Sequence, residues 1–364
     1  MTTLVVTNDF PPRIGGIESF VRQVCTFLDH RVVVLTRTEP DRAATRAFDA
    51  ALPFPVHRLP GPLLPTASVR RASVELMRSH GADSVVFGAA APLGLLAGEL
   101  RRAGAGRIVA LSHGHEVWWS RVPAARSALR RIAREVDVLG VISSYTRGQI
   151  GAVLPAEDRS KLVMIPPPVD LAAFTPAPTR PAGTVLVASR LVRQKGVDRL
   201  LEAWPFVTAS APHSRLVIAG DGPDAASVRR RAASLDGVEV RRPVEHDRMP
   251  DLLRSASVFV SPVRTRLAGL YAEGLGLVTC EAAACGLPVV VGRSGGAPET
   301  VLDGVSGSVV DVDDRQALAD AVLRWVTDPA AAGAAGVAGR RHVDGLVGSE
   351  RVRDRLLAAL ARRP

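Results

Sequence analysis

"MIPPPVDLAAFTPAPTRPAGT" (residues 164–184) holds three consecutive prolines, Pro166 to Pro168, and three more at Pro176, Pro178 and Pro181. Proline has a fixed φ and no amide hydrogen, so this stretch is neither helix nor central strand and reads as an extended connector. It lies near the middle of a chain of 364 residues, a length that suits two domains better than one core. On each side, apolar runs alternate with segments of helical period. The first half offers strands at Leu4–Thr7, Arg31–Thr36, Val56–Leu59, Ser84–Phe87, Arg107–Leu111 and Val136–Ile142, with helical stretches such as Glu18–Leu28 and Val69–Arg78. The second half repeats the plan at Thr184–Ala188, Arg215–Ala219, Val238–Arg241, Ser257–Val260, Val289–Val291 and Gly307–Val310. Such alternation builds parallel sheets covered on both faces. The expected fold is α/β, with two doubly wound, Rossmann-like domains facing across a cleft and ligands at the carboxyl ends of their strands. The expected boundaries are 1–165, a linker at 166–183, a second domain at 184–340, and a C-terminal helix within 341–364 that returns to the first domain.

Composition narrows the class. The chain is 47% hydrophobic and 23% charged, and its three cysteines (Cys25, Cys280, Cys285) form no C-x-x-C pair. Their number and spacing suit a reducing, cytoplasmic compartment, and Cys280 and Cys285 read as small core residues. "MTTLVVTNDF" enters a strand directly, without the pattern of a secretory signal. The longest apolar stretch, 85–98, is interrupted by Pro92 and is shorter than the roughly 20 residues of a spanning helix. The formal charge of +10 suits phosphate-bearing ligands or an anionic surface. No aromatic-interleaved basic stripe points to nucleic acid.

Three stretches carry phosphate chemistry. In "FPPRIGGIESF" (10–20), Gly15 and Gly16 open a helix whose free N–H groups suit an anion, although a plain turn has the same signature. In "ASRLVRQKGVDRL" (188–200), Arg190 and Lys195 lie on the loop leaving a strand; a guanidinium fork and an ammonium point charge suit a diphosphate, and equally a solvated basic loop. In "EGLGLVTCEAAACGLPVV" (273–290), a Gly-x-Gly loop leads into a short helix ended by Gly286 and Pro288. Glu281 stands among small apolar residues, where a carboxylate needs a polar partner. A ribose diol supplies two hydroxyl donors, and Glu273 could meet hydroxyls of a sugar.

Together these stretches resemble the retaining family 4 glycosyltransferases of the GT-B fold, and more closely the actinobacterial phosphatidylinositol mannoside mannosyltransferases that use GDP-mannose. The likeness is carried by "VTNDFPPRIGGIESF", "FGAAAPLGLLA", "SHGHEVWWSRVPAARSALRRI", "ISSYTR", "SRLVRQKGVDRLL", "GDGP", "RTRLAGLYAEGLGLVTCEAAACGLPVV" and "SGGAPETV", in family order over residues 4 to 305. The resemblance implies a metal-independent hexosyltransferase without a cofactor, its co-substrate a nucleotide sugar. It implies that Arg190 and Lys195 hold the donor diphosphate, that Glu281 binds the ribose and Glu273 the transferred sugar. Backbone groups at Gly15, Gly16, Gly276 and Leu277 would line phosphates and sugar, and Val244 would read the base by its main chain. His113 would lie near the sugar and acceptor, with Arg13, Glu18 and Trp118 on the acceptor side. The chain departs from its close relatives' pattern at Glu18, Trp118 and Pro168.

Other features compete. His113 and His115 share a face in "HGHE", but zinc needs three or four ligands and no further His/Cys cluster follows. "DVDD" (311–314) contains Asp-x-Asp, a metal–diphosphate signature elsewhere, yet it precedes a helix and Asp is a preferred N-cap. Arg121, Arg126, Arg130, Arg131 and Arg134 share a helical segment with Val122, Ala125, Leu129 and Ile132. Such a helix can lie on an anionic membrane at the inner face, its apolar side among the headgroups, or be a solvated surface. The acceptor is accordingly a phosphoinositide-type lipid or a soluble cyclitol or aglycone. A nucleotide-sugar epimerase on the same fold is the rival activity.

Overall fold

The computed structural model of the protein describes residues 2–361, apart from Ile14, His30 and His115. The chain divides into two compact units: residues 1–168 with 350–364, and residues 169–349. Among the described residues thirteen strands form two sheets. The first unit holds β1 (Thr2–Val6), β2 (Val32–Arg37), β3 (Val56–Leu59), β4 (Ala82–Phe87), β5 (Arg107–Leu111), β6 (Val138–Val141) and β7 (Leu162–Met164). The second holds β8 (Thr184–Ala188), β9 (Arg215–Ala219), β10 (Val238–Arg241), β11 (Val258–Ser261), β12 (Val289–Gly292) and β13 (Gly307–Val310). The strand orders are β3-β2-β1-β4-β5-β6-β7 and β10-β9-β8-β11-β12-β13. Every ladder within them is parallel. Both orders reverse direction once, between β1 and β4 and between β8 and β11, and loops leaving strands at such a switch point diverge to form a crevice.

The strands are apolar on both sides because both sides are covered. In β1, Leu4 and Val6 pack with Val85 and Phe87 into one layer. Val5 packs into the other with Val34, Val86 and residues Phe20, Val21 and Val24 of the helix Gly16–Phe27. That second layer also takes Val352, Leu356, Ala359 and Leu360 from the helix Ser349–Leu360. The chain end is therefore part of the first unit's core. In the second unit Val185 and Val187 of β8 pack with Leu200, Leu201 and Trp204 of the helix Val197–Ser210 and with Leu318, Val322 and Trp325 of the helix Arg315–Val326.

Three local features differ from the sequence reading. Strand β7 was not anticipated. The expected boundary at 340/341 falls inside the helix Pro329–Val347, which continues to Gly348. The basic segment forms the helix Pro123–Glu135, but Leu129, Ile132 and Ala133 are all fully buried in the first unit's core. Of the four apolar residues expected to face headgroups, Leu129 and Ile132 are thus spent on the core, while Val122 is exposed and Ala125 half-buried.

Candidate active site

In the second unit, the loop after β8 and the segment after β11 meet backbone to backbone. Gly196 ends a 3-10 turn (Arg193–Lys195) at φ 66°. A Cβ there would lie 1.8 Å from the Pro262 carbonyl oxygen, so only glycine permits both the left-handed conformation and the contact. Arg264 secures the junction. Its main-chain N–H donates to the Gln194 carbonyl at 2.9 Å. Its guanidinium donates to the Arg193 carbonyl at 3.0 Å and to Asp198 at 2.9 Å. The loop carrying the two expected cations is thus held from the neighbouring strand.

This arrangement brings Lys195 and Glu273 together, 78 residues apart in sequence: Nζ donates to Oε2 at 2.5 Å. The two side chains are 23% and 18% exposed, so the pair is part-shielded and open to a ligand. Glu273 is fixed through its backbone, its N–H donating to Ser294 Oγ at 3.3 Å and its carbonyl accepting from the Gly296 N–H at 2.8 Å. Ser294 is positioned in turn by Thr265, 3.0 Å between hydroxyls. Arg190 is exposed and makes no ion pair among the described residues.

Gly276 stands at φ 92° as N-cap of the helix Leu277–Ala284 and has no side chain to cap it. The first N–H groups of that helix, beginning at Leu277, are therefore available to an anion. Glu281 lies in the second turn, 5% exposed, and burial pushes its carboxyl up to about 7. Among the described residues the His246 imidazole stands beside it, Nδ1 3.9 Å from Oε1. Val244 is half-buried in the loop after β10, and none of the loop bonds between main-chain groups engages it among the described residues. Two groups that sequence reasoning missed are Ser189, beside Arg190, and Thr279, beside Gly276. Both present buried hydroxyls without a partner among the described residues, and a buried hydroxyl in that state invites a ligand or water. Cys280 and Cys285 are buried, and burial raises both thiols, that of Cys285 to about 11.

In the first unit, the loop after β1 is closed by charge. Arg13 pairs with Asp9 at 2.5 Å and with Glu18, and the Glu18 carboxylate folds back over Gly15, where a Cβ would lie 2.2 Å from Oε2. Nothing stands within 4 Å of a Cβ built on Gly16. The helix N-terminus there thus already has a carboxylate in its first turn, and a phosphate would have to displace it. His113 follows β5. Its Nε2 is 2.5 Å from the Gly88 carbonyl, which accepts and so places a proton on Nε2. Its main-chain N–H donates to Glu116 Oε2 at 3.0 Å, and its ring meets Phe20 edge-on at 5.6 Å. Glu116 is fully buried and also accepts from Ser112 Oγ at 2.9 Å. It is a positioning carboxylate that the sequence reading passed over. Trp118 is 41% exposed and rests against Trp119, 5.6 Å between ring centroids.

His115 lies outside the described residues. Among the described residues no three His, Cys, Asp or Glu side chains converge on a metal position. Asp314 of "DVDD" accepts from the Ala317 N–H at 3.0 Å and caps the helix Arg315–Val326, while Asp313 pairs with Arg199 at 2.7 Å.

Two Rossmann-like units, each a parallel sheet with one switch point, have the GT-B architecture of glycosyltransferases. The solved structure of Anabaena HepE in complex with UDP has the same fold, with a TM-score of 0.81 at 16% identity over 99% of both chains. Sucrose-phosphate synthase from Thermosynechococcus elongatus also shares it, with a TM-score of 0.77 at 23% identity over 98% of both. Residues 14–173 match the family described as Glycosyltransferase Family 4, and residues 182–328 that described as Glycosyl transferases group 1. The chain belongs to this glycosyltransferase family and is an enzyme of that class. It is 39% identical, over 100% of its length and 98% of the relative's, to the GDP-mannose-dependent monoacylated alpha-(1-6)-phosphatidylinositol monomannoside mannosyltransferase of Corynebacterium glutamicum. It is 43% identical, over 93% and 92%, to the GDP-mannose-dependent alpha-(1-6)-phosphatidylinositol monomannoside mannosyltransferase of Mycolicibacterium smegmatis.

Proposed function

We propose that the protein transfers α-mannose from GDP-mannose, with retention, to a phosphatidylinositol-mannoside-type lipid at the cytoplasmic membrane face. The near-full-length identity to mannosyltransferases of that specificity carries the reading. Arg190 and Lys195 hold the diphosphate, and the N–H groups from Gly276 and Leu277 onward face its oxygens. Glu281 accepts from the ribose hydroxyls, Val244 meets the base through its main chain, and Glu273 meets the mannose. In the first unit, His113 serves the sugar and acceptor, Gly15 and Gly16 the phosphate side, and Arg13, Glu18 and Trp118 the acceptor.

The Lys195–Glu273 pair suggests how binding begins. An ammonium 2.5 Å from one carboxylate has a stronger partner in a diphosphate of two charges, so donor entry draws Lys195 away and frees Glu273 for sugar hydroxyls. As the anomeric bond breaks, negative charge grows on the leaving phosphate, and preorganised cations and N–H dipoles lower that barrier without reorganising. The leaving phosphate takes the acceptor proton, with departure and attack on one face of the sugar. No step requires a metal ion. Contact with the anionic surface through Arg121, Arg126, Arg130, Arg131 and Arg134 is electrostatic. Arg126 and Arg130 are also committed through Nε to main-chain carbonyls of Ser120 and Val153, at 2.9 and 2.6 Å.

Incubation with GDP-mannose and a phosphatidylinositol monomannoside in mixed micelles tests the reading. An α-linked dimannoside is expected. Transfer only to a water-soluble cyclitol would overturn the acceptor, transfer only from another nucleotide sugar would overturn the donor, and epimerised donor without transfer would overturn the activity.

A further inference from the structure

Large apolar side chains are rarely exposed in succession. Here Leu267, Leu270 and Tyr271 are 61%, 43% and 52% exposed within five residues. They form the tip of a closed hairpin. The Arg266 N–H donates to the Tyr271 carbonyl at 2.9 Å and the Tyr271 N–H to the Arg266 carbonyl at 3.2 Å. The Gly269 and Leu270 N–H groups also bond within the turn, at 3.1 Å each. Four of the hairpin's amides are thus satisfied within it, which lowers the cost of its leaving water. The base is pinned by Arg264 to the loop after β8, so the tip is presented by a fixed frame. Beside it lies a cavity of about 620 Å³ whose wall includes Arg193, Arg264, Arg266 and Leu267. Arg264 is spent on Asp198. Arg193 and Arg266 make no ion pair among the described residues.

We propose that the Arg266–Tyr271 hairpin is a bilayer contact, its apolar tip entering an anionic phospholipid surface while Arg193 and Arg266 take a lipid phosphodiester at the mouth of the cavity. An apolar tip flanked by unpaired cations matches the layering of acyl chains beneath anionic headgroups. The contact rests on the reading of the acceptor as a membrane lipid. It replaces the apolar face that the helix Pro123–Glu135 spends on its own core.

The test labels Leu270→Cys with an environment-sensitive naphthalene dye. Cys25, Cys280 and Cys285 are all buried, which directs the label to the new thiol. Val337→Cys, at a position 56% exposed on the helix Pro329–Val347, is the control. Vesicles containing phosphatidylinositol should blue-shift the Leu270→Cys label and leave the control unchanged, while vesicles of phosphatidylcholine alone and soluble glycerophosphoinositol should shift neither. The double variant Leu267→Ser/Leu270→Ser should lower the vesicle-bound fraction by about tenfold or more, the scale set by withholding two leucines from an apolar phase, with its thermal midpoint unchanged. Co-sedimentation of the protein without a shift of the label would overturn the contact. So would a shift produced by GDP-mannose without vesicles, which would make the hairpin a cover for the donor. A vesicle-dependent shift combined with no transfer to a phosphatidylinositol mannoside would overturn the acceptor assignment and leave the contact standing.

Discussion

Glu281→Gln separates the cost of a buried carboxylate from its use. Burial raises the Glu281 carboxyl from an ordinary 4.5 to about 7. At 1.36 kcal/mol per unit, the folded chain resists ionisation of this group by about 3 kcal/mol. The sign follows from proton counts. Between about pH 4.5 and 7 the folded chain keeps a proton that the unfolded chain has released. Stability therefore falls as pH rises through that window, and the whole cost is present above about 7. Glutamine keeps the shape and cannot ionise. The stability of Glu281→Gln relative to wild type should rise by about 3 kcal/mol from pH 4.5 to 8.5. Trp204 and Trp325, buried in the second unit, report its urea transition. The same substitution should weaken GDP binding at pH 8 by about 10- to 100-fold, the range for losing a charged hydrogen-bond acceptor. Parallel pH curves for the two proteins would refute the buried titration, and unchanged GDP affinity would refute the ribose contact.

Lys195→Ala and Arg190→Ala should each cut turnover by about 10²-fold or more, as loss of one preorganised charge donor does; near-wild-type kcat in both would refute the diphosphate assignment. Arg264→Leu removes the bonds that hold the loop after β8 and should lower kcat at least tenfold, on the order of the loss from a misplaced catalytic group, with a cooperative urea transition retained. Unchanged turnover would mean that the loop holds its place without Arg264. Activity should survive EDTA, measured by release of GDP, whereas complete loss rescued by Mn²⁺ would require a metal.

Most strands were legible because a parallel sheet buried on both faces needs continuous apolar runs, and such runs stand out between helical periods. Leu162–Met164 was not, because three residues ahead of Pro166 are too short to show a period. The end of the helix Pro329–Val347 was also illegible. Gly333, Gly336, Gly339, Gly345 and Gly348 all punctuate that segment, and only at Gly348 does the backbone turn extended, at φ −54° and ψ 133°. Composition does not say which glycine of five is the break.

The candidate site residues could be named from the sequence, but their contacts could not. Arg190 and Lys195 stood out as cations on a loop leaving a strand, Glu273 as a carboxylate beside a Gly-x-Gly loop, and Glu281 as a carboxylate among small apolar residues. The 2.5 Å pair of Lys195 with Glu273 needed the β8–β11 switch point to exist first. Arg264, Ser294 and Glu116 act through main-chain and carboxylate bonds that leave no spacing signal. The arginine-rich helix shows a deeper limit. Its 3.6-residue period identifies an apolar stripe but not the stripe's partner, because core and bilayer reward the same pattern. Leu129 and Ile132 went to the core. Leu267, Leu270 and Tyr271 share the i, i+3, i+4 spacing and nevertheless remain exposed. Exposure in the folded chain, rather than amphipathic period, therefore identifies the surface with apolar area still to bury.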